Sequence, residues 1–256
     1  MNKIILAIAS LLILVGCGML SFGSENALIV IDAGHGGHDS GAVAGGKKEK
    51  DLVLQITKKL NHEFRSKGYR VHFTRDSDKF IALTKRTQIA DHEEAKVFIS
   101  IHANAIANRN RFNKVEGVET YYLQKTRDAR SQRIAMRENA SVLQGTDRLS
   151  KNVIIDSVLN GPKIIQSHKL AIDVQNAMIR SLRGKYSSVV NGGVRPAPFY
   201  VLVGASRPSI LVEVGYITNP KERARLFSSS YQEKLVEGIV KGVTRYINNR
   251  KQEVGF

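Results

Sequence analysis

The chain has 256 residues, of which 42% are apolar, a proportion that supplies one substantial hydrophobic core and excludes a disordered or fibrous protein. Its 39 Lys and Arg residues against 23 Asp and Glu residues give a formal net charge of +16, which attracts polyanions such as nucleic acid, anionic membrane surfaces or acidic wall polymers. The single cysteine excludes an intramolecular disulfide. We expect one domain.

The first residues predict a targeting segment rather than a part of the fold. A short positive start, 1–3, precedes an apolar run, 4–15, that is too short for a comfortable membrane span. The run ends in Leu-Val-Gly-Cys at Cys17, which resembles a bacterial lipobox. We therefore expect a signal peptide over residues 1–16, a lipid anchor at Cys17 that holds the exported chain in the periplasm or cell envelope, and a short linker over 17–26. Ordinary signal cleavage and an uncleaved anchor are the alternatives.

Strand and helix patterns alternate behind this leader. Runs rich in β-branched and aromatic residues predict strands at 28–31, 69–74, 96–101, 118–123, 199–203 and 210–214. Apolar residues at helical spacing predict helices at 51–67, 84–93, 163–182 and 231–247. A strand, a helix and a strand in close succession are typical of a parallel sheet. We predict one α/β domain over residues 27–250, with a mostly parallel central sheet of about six strands flanked by helices, and a tail over 251–256.

Two histidines stand where predicted strands end. His35 lies in a glycine-rich turn after the first strand, and His102 ends the third. Ligands gather at the carboxyl ends of parallel strands, and two imidazoles at one point can nucleate a zinc site, although two hydrogen-bonded histidines lining a loop are the alternative. Glu49, at the start of the next helix, is the candidate third ligand. A carboxylate there also interacts favourably with the helix dipole without any metal.

Glu213 is unexpected inside an apolar strand. The surrounding sequence, Ile-Leu-Val-Glu-Val over 210–214, is typical of a central strand covered on both faces. Burying an unpaired carboxylate is costly, so this residue needs a partner or a function. A core salt bridge to an arginine is one interpretation. The other is a general base that takes a proton from water beside zinc and passes it to a leaving amine.

Five segments in order resemble the zinc-dependent N-acetylmuramoyl-L-alanine amidases, a family of bacterial cell-wall hydrolases, in the form of a division-type catalytic domain. The matching segments are 31–37 with Gly41 and Ala42, 48–51, 74–76 with Leu83 and Arg86, 100–105, and 211–220. The resemblance implies a zinc exopeptidase/phosphorylase-like fold, and Zn²⁺ held by His35, Glu49 and His102. It implies Glu213 as the catalytic residue and peptidoglycan as the substrate, cleaved between N-acetylmuramic acid and L-alanine.

Asp32, Ser100 and Asn104 are further candidates for the site. They would contact the ligands or the substrate, and hydrogen bonding at the strand ends is an equally good interpretation.

Residues 124–166 form an insertion relative to compact members of the family, with helical patterns at 129–143 and 149–159. Similar insertions in division-type amidases carry a helix that covers the zinc cleft until a partner displaces it. The resemblance therefore implies an autoinhibitory segment and an activator protein that acts on it. Glu138, the only glutamate in the insertion, is the candidate plug, with a solvated surface carboxylate as the alternative.

Three functions compete at this point. The first is a lipid-anchored zinc amidase. The second is a zinc peptidase or carboxypeptidase that cuts within the stem peptide, and the third is a non-catalytic wall-binding lipoprotein, favoured only by the positive charge. Nucleic acid is not an expected partner of an exported chain.

Overall fold

The structure, a computed structural model, describes residues 26–140 and 162–254. The predicted signal peptide, Cys17 and most of the linker lie outside the described residues, as does the helix predicted at 149–159. None of the helices within the two described ranges combines the length and the hydropathy that a membrane span requires.

The elements alternate in the order that the hydrophobic patterns predict. The strands are β1 (Leu28–Ala33), β2 (Val43–Ala44), β3 (Lys47–Lys48), β4 (Arg70–Phe73), β5 (Val97–Asn104), β6 (Val118–Leu123), β7 (Asn191–Ala197) and β8 (Ser209–Tyr216). The helices are α1 (Glu49–Ser66), α2 (Leu83–His92), α3 (Ala129–Glu138), α4 (Pro162–Arg183), α5 (Pro220–Leu226) and α6 (Ser229–Val254).

Six of the strands form one sheet in the order β4-β1-β5-β8-β6-β7. Neighbouring strands in this sheet are parallel except β6 and β8, which are antiparallel. One side of the sheet therefore holds the carboxyl ends of β1, β4, β5 and β8 together with the amino ends of β6 and β7. We call this side the shared edge. This arrangement confirms the predicted α/β domain with a mostly parallel sheet.

The sixth strand is not the one that the sequence predicts. The pattern at 199–203 predicts a strand, but these residues contain the 3₁₀ helix Tyr200–Leu202, whose apolar side chains pack into the core. The strand is β7, immediately before it. Gly192, Gly193 and Pro196 are poor strand formers and conceal β7 in the sequence. Its place at the edge of the sheet is where proline is tolerated.

Alternation along the strands divides the side chains between two faces of the sheet. One face packs against α1, α4 and α6. The other, which we call the α2–α3 face, packs against α2 and α3 and includes Val30, Phe98, Tyr121 and Leu211. Residues two positions along a strand point to the same side. The buried polar residues of the α2–α3 face at the shared edge include Asp32, Ser100, His102, Glu119 and Glu213.

Candidate metal centre

The turn after β1 holds His35 in an unusual backbone conformation. Its φ is +59°, in the left-handed region that side chains with a Cβ rarely adopt. The turn is closed by two backbone hydrogen bonds between Gly36 and Asp39, of 2.9 and 3.1 Å. Asp39 Oδ2 also lies 2.9 Å from His35 Nδ1. With the proton on Nδ1, His35 Nε2 keeps its lone pair for a metal ion.

Two buried arginines fasten this turn. Arg86 donates to the carbonyl oxygens of Ala33 and His35 at 2.7 and 2.8 Å. Arg75 donates to the carbonyl oxygens of Ala33 and Gly34 at 2.8 and 2.7 Å. These bonds offset the strain of the left-handed residue. Both arginines belong to segments that match the family, but their roles were not predicted from the sequence.

Glu49 begins α1 and is completely buried. Its Oε1 accepts from the Ala103 amide at 2.8 Å, and its Oε2 accepts from the Ala42 amide at 2.9 Å. Two glycines make room for the ligands. A Cβ on Gly34 would lie 2.4 Å from the His102 ring, and one on Gly41 would lie 2.6 Å from the His35 ring. The glycine-rich turn thus lets the three side chains converge.

Four side-chain atoms meet at the shared edge of the sheet. Glu49 Oε1 lies 3.1 Å from His35 Nε2 and 3.3 Å from His102 Nδ1. Glu138 Oε2 lies 3.2 Å from the same His35 atom and 2.9 Å from the same His102 atom. The ligand atoms of the four residues all lie within 4.8 Å of one another. The structure therefore brings together the three predicted ligands and adds Glu138.

The donor set fits a tetrahedral metal ion. His35 Nε2, His102 Nδ1 and Glu138 Oε2 are buried without a hydrogen-bond partner, a costly arrangement unless a cation joins them. Ligands about 2.0–2.1 Å from a tetrahedral zinc ion are roughly 3.3 Å apart, close to the separations observed. Imidazole and carboxylate groups are ordinary zinc ligands. These residues could hold a metal ion of this kind.

The charges of the cluster also favour a cation. Burial by itself lowers the pKa of His102, but Glu138 and Glu49 raise it to about 9. Burial likewise opposes protonation of His35, and Glu49 and Asp39 nevertheless raise its pKa well above the usual range. The metal-free cluster therefore binds protons, and a metal ion that joins it releases them.

Glu213 lies beside this cluster. It is the register partner of His102 across β5 and β8, and it is completely buried. Neither of its carboxylate oxygens has a hydrogen-bond partner, and Arg137 Nη2 lies 3.9 Å from Oε1. Burial and the neighbouring Glu138 raise the pKa of Glu213 well above its usual range. A carboxyl group in this environment can carry a proton during catalysis.

The three other predicted polar residues belong to two separate networks. Asp32 accepts from Ser100 Oγ at 2.6 Å and from Arg86 Nη1 at 2.8 Å. Asp32 and Ser100 therefore hold Arg86, which in turn donates to the carbonyl oxygen of His35. Asn104 Nδ2 donates to Glu119 Oε2 at 2.9 Å, whereas its Oδ1 is buried without a partner.

The sequence patterns did not single out Glu119. It lies on β6 directly opposite Glu213 on β8 and is completely buried. It accepts from the Tyr121 hydroxyl at 2.9 Å and forms ion pairs with Arg130 at 2.5 Å and Arg195 at 3.4 Å. A carboxylate inside an apolar strand singled out Glu213, and the same signal in β6 would have found Glu119.

Helix α3 brings the insertion to the cluster. Asp128 caps its first turn by accepting from the Ser131 amide at 2.9 Å. At the other end, Arg137 donates to the Ala105 carbonyl oxygen at 2.8 Å and contacts Glu138. Glu138, the predicted plug, thus takes the fourth corner of the cluster and is not a solvated surface carboxylate.

Comparisons with known proteins point to one family. A family model described as N-acetylmuramoyl-L-alanine amidase matches residues 29–245. The chain is 34% identical over 226 residues to the N-acetylmuramoyl-L-alanine amidase AmiC of Escherichia coli O6:H1, which covers 86% of this chain and 52% of that protein, so the chain spans about half the length of this relative.

Solved amidase structures share the fold. The amidase AmiC2 of Nostoc punctiforme is 34% identical and superposes with a TM-score of 0.66 over 88% of this chain and 99% of that chain. The CwlD amidase of Clostridioides difficile, solved in complex with the GerS lipoprotein, is 26% identical, with a TM-score of 0.64 over 88% of this chain and 100% of that chain.

Proposed function

The chain belongs to the N-acetylmuramoyl-L-alanine amidase family, and we propose that it hydrolyses peptidoglycan at the amide bond between N-acetylmuramic acid and the L-alanine of the stem peptide. The family matches over most of the chain, as the sequence motifs indicated. The observation that carries the proposal is the convergence of unpartnered ligand atoms of His35 and His102 on Glu49, beside the buried Glu213.

His35, Glu49 and His102 are the zinc ligands in this proposal. Zinc, when bound, polarises the scissile carbonyl and lowers the pKa of water towards ~7. Hydrogen bonds from the Ala103 and Ala42 amides fix both oxygens of Glu49, and the Asp39 contact fixes the ring of His35. Such supporting contacts set the orientation of the ligands before the ion arrives.

Glu213 moves the proton in the reaction. Its carboxylate takes a proton from the attacking water as the water oxygen bonds to the carbonyl carbon. It then gives that proton to the departing nitrogen as the carbon–nitrogen bond breaks. The products are a lactyl carboxylate on the sugar and a free amine on L-alanine. The position of Glu213 opposite His102 in the sheet and its unpartnered oxygens support this role.

Helix α3 holds the site closed. Glu138 occupies the corner that the substrate carbonyl needs, and Arg137 ties the end of the helix to the Ala105 carbonyl oxygen. The helix must leave before substrate enters. An activator protein that acts on the 124–166 insertion would displace it, and the complex of the CwlD amidase with the GerS lipoprotein supports partner binding within this family.

Export and anchoring are proposed for the residues outside the described part. The apolar run 4–15 and the lipobox-like sequence at Cys17 support a signal peptide over 1–16 and a lipid anchor in the cell envelope. Cells fed an alkyne-tagged fatty acid test this. Wild-type protein should carry the label and Cys17→Ser should not; unlabelled wild-type protein would contradict it.

Digestion of purified peptidoglycan, followed by mass analysis of the products, tests the reaction. The wild type, Glu138→Ala and the double variant Glu138→Ala/Glu213→Gln are compared with zinc present. We expect intact stem peptides with a free L-alanine amine from the wild type or from Glu138→Ala, and none from the double variant. Products cut within the peptide would support the zinc peptidase instead. No products from any of the three proteins would support the non-catalytic wall-binding protein.

A further inference from the structure

A cationic side chain meets α3 at the opposite end of the helix from Glu138. Arg195 lies on β7 in register with Tyr121 of β6, and its Nη1 is 3.6 Å from Oδ2 of Asp128, the residue that caps α3. Its side chain is 32% exposed. One end of α3 therefore reaches the ligand cluster and the other end reaches a guanidinium group.

The fold holds Arg195 in place through Glu119. The Nε of Arg195 lies 3.4 Å from Glu119 Oε1 and donates to the Gly192 carbonyl oxygen at 3.2 Å. The neighbouring strand leaves space for this carboxylate, because a Cβ on Gly192 would lie 2.2 Å from Glu119 Cγ. A guanidinium group held by a buried anion is oriented before any ligand arrives.

Arg195 belongs to the sheet and not to the helix that closes the site. Arg130, the other ion-pair partner of Glu119, is part of α3 and would leave with it. Departure of α3 would also remove Asp128 from Arg195. The open cleft would then present the Arg195 guanidinium group without the Asp128 carboxylate that pairs with it.

The distance between the carboxylates at the two ends of α3 matches the length of a short extended peptide. Asp128 and Glu138 are ten positions apart, or about 15 Å along a helix that rises 1.5 Å per residue. An extended peptide covers that distance with about four residues. A stem peptide whose scissile carbonyl takes the place of the Glu138 carboxylate would bring a carboxylate near its fourth residue to Arg195.

Resting on the proposed amidase function, we propose that Arg195 is the receptor for a free carboxylate near the far end of the stem peptide. Asp128 holds that position while α3 covers the cleft. Guanidinium groups bind carboxylates through paired, charge-assisted hydrogen bonds. The preferred substrates are therefore stem peptides of about four residues with an ionised end, and peptides amidated at that end bind more weakly.

The proposed carboxylate receptor is tested by combining two changes, Arg195→Gln in the protein and amidation of the terminal carboxylate in the substrate. N-acetylmuramoyl tetrapeptide with a free terminal carboxylate and its terminal carboxamide are hydrolysed by full-length Glu138→Ala, with and without Arg195→Gln. With Arg195 present, we expect a KM roughly tenfold or more lower for the acid than for the amide. In the Arg195→Gln protein, the two KM values should coincide. An equal acid-to-amide ratio with and without Arg195 would overturn the proposal.

Arg250→Gln is the matched control. Arg250 is a similarly exposed arginine on α6 that pairs with Glu253, and its loss should leave the acid-to-amide ratio unchanged. Arg195→Lys keeps the charge and should recover part of the preference for the acid. If Arg195→Gln does not fold, the Arg195 protein alone must still prefer the acid, and an absence of preference would overturn the proposal.

Calorimetry with the free tetrapeptide separates the two proposals. The product peptide needs no catalysis to bind, and we expect its affinity for the Glu138→Ala protein to fall about tenfold when its end is amidated. Binding without hydrolysis of any substrate would refute the amidase function but leave the receptor intact. Hydrolysis with no discrimination between acid and amide would refute only the receptor.

Discussion

His102 and Glu213 are register partners on adjacent parallel strands, so the sheet itself sets the spacing between the proposed metal ligand and the proposed proton carrier. Both strands are buried along their whole length. Neighbouring strands lie about 4.8 Å apart, and their hydrogen bonds resist displacement. Loop movements can therefore close or open the site without changing the relation between these two side chains.

Replacing Glu138 by alanine should raise basal hydrolysis of peptidoglycan. The substitution removes contacts with His35, His102 and Arg137 that seat the end of α3 in the cleft. Losing charge-assisted contacts worth about 2 kcal/mol shifts a closed–open equilibrium by roughly thirtyfold. Release of stem peptides from purified wall measures the effect. Arg133→Ala on the exposed side of α3 is the control and should change nothing, whereas unchanged or lower activity in a folded Glu138→Ala protein would argue against gating.

Asp32→Asn should destabilise the protein most at neutral pH. Burial raises the pKa of Asp32, but Arg86 and the hydroxyls of Ser100 and Thr74 outweigh burial and hold it below its usual value. A carboxylate with a lowered folded-state pKa adds stability above its unfolded-state pKa of about 3.9, and that stability is lost as pH falls through the folded-state value.

Urea unfolding of the wild type and Asp32→Asn measures this difference. Because the change leaves Arg86 buried without its partner, we expect the free energy of unfolding to fall by about 3 kcal/mol at pH 7. The gap should shrink below pH 4. Asp76→Asn, at an exposed carboxylate, is the control. A gap of the same size at pH 7 and pH 3 would show that the charge of Asp32 does not contribute.

Gly34→Ala should weaken metal binding. The added methyl group would lie 2.4 Å from the His102 ring and must push this ligand out of place. Overpacking of this kind costs about 1–3 kcal/mol, so zinc affinity should fall roughly tenfold or more. Competition with a coloured chelator measures the affinity. Gly184→Ala meets only ordinary contacts at 3.4 Å and should bind zinc like the wild type; equal affinities in both variants would refute the steric argument.

The sequence predicts those parts of the molecule that depend on neighbouring residues. The spacing of apolar residues identified α1 and β6. The motifs around His35 and His102 placed both residues at strand ends. Because parallel strands end at one edge, the meeting of these two residues could be anticipated.

Contacts between distant segments could not be predicted in this way. Arg86 reaches the His35 carbonyl oxygen across 51 positions, and nothing in either local sequence specifies that contact. β7 was concealed because an edge strand tolerates glycine and proline. The resemblance suggested Glu138 as a plug, but its approach to two imidazoles depends on how α3 packs.

Zinc titration of the metal-stripped Glu138→Ala protein tests the central claim most directly, with release of stem peptides and bound zinc measured in the same samples. Hydrolysis should be absent after stripping and should saturate at one zinc ion per chain, since the described residues converge on one cluster of this kind. His102→Ala should neither bind zinc at these concentrations nor release peptides. Hydrolysis that survives complete removal of metal, or undiminished zinc binding by His102→Ala, would contradict the assignment of this site.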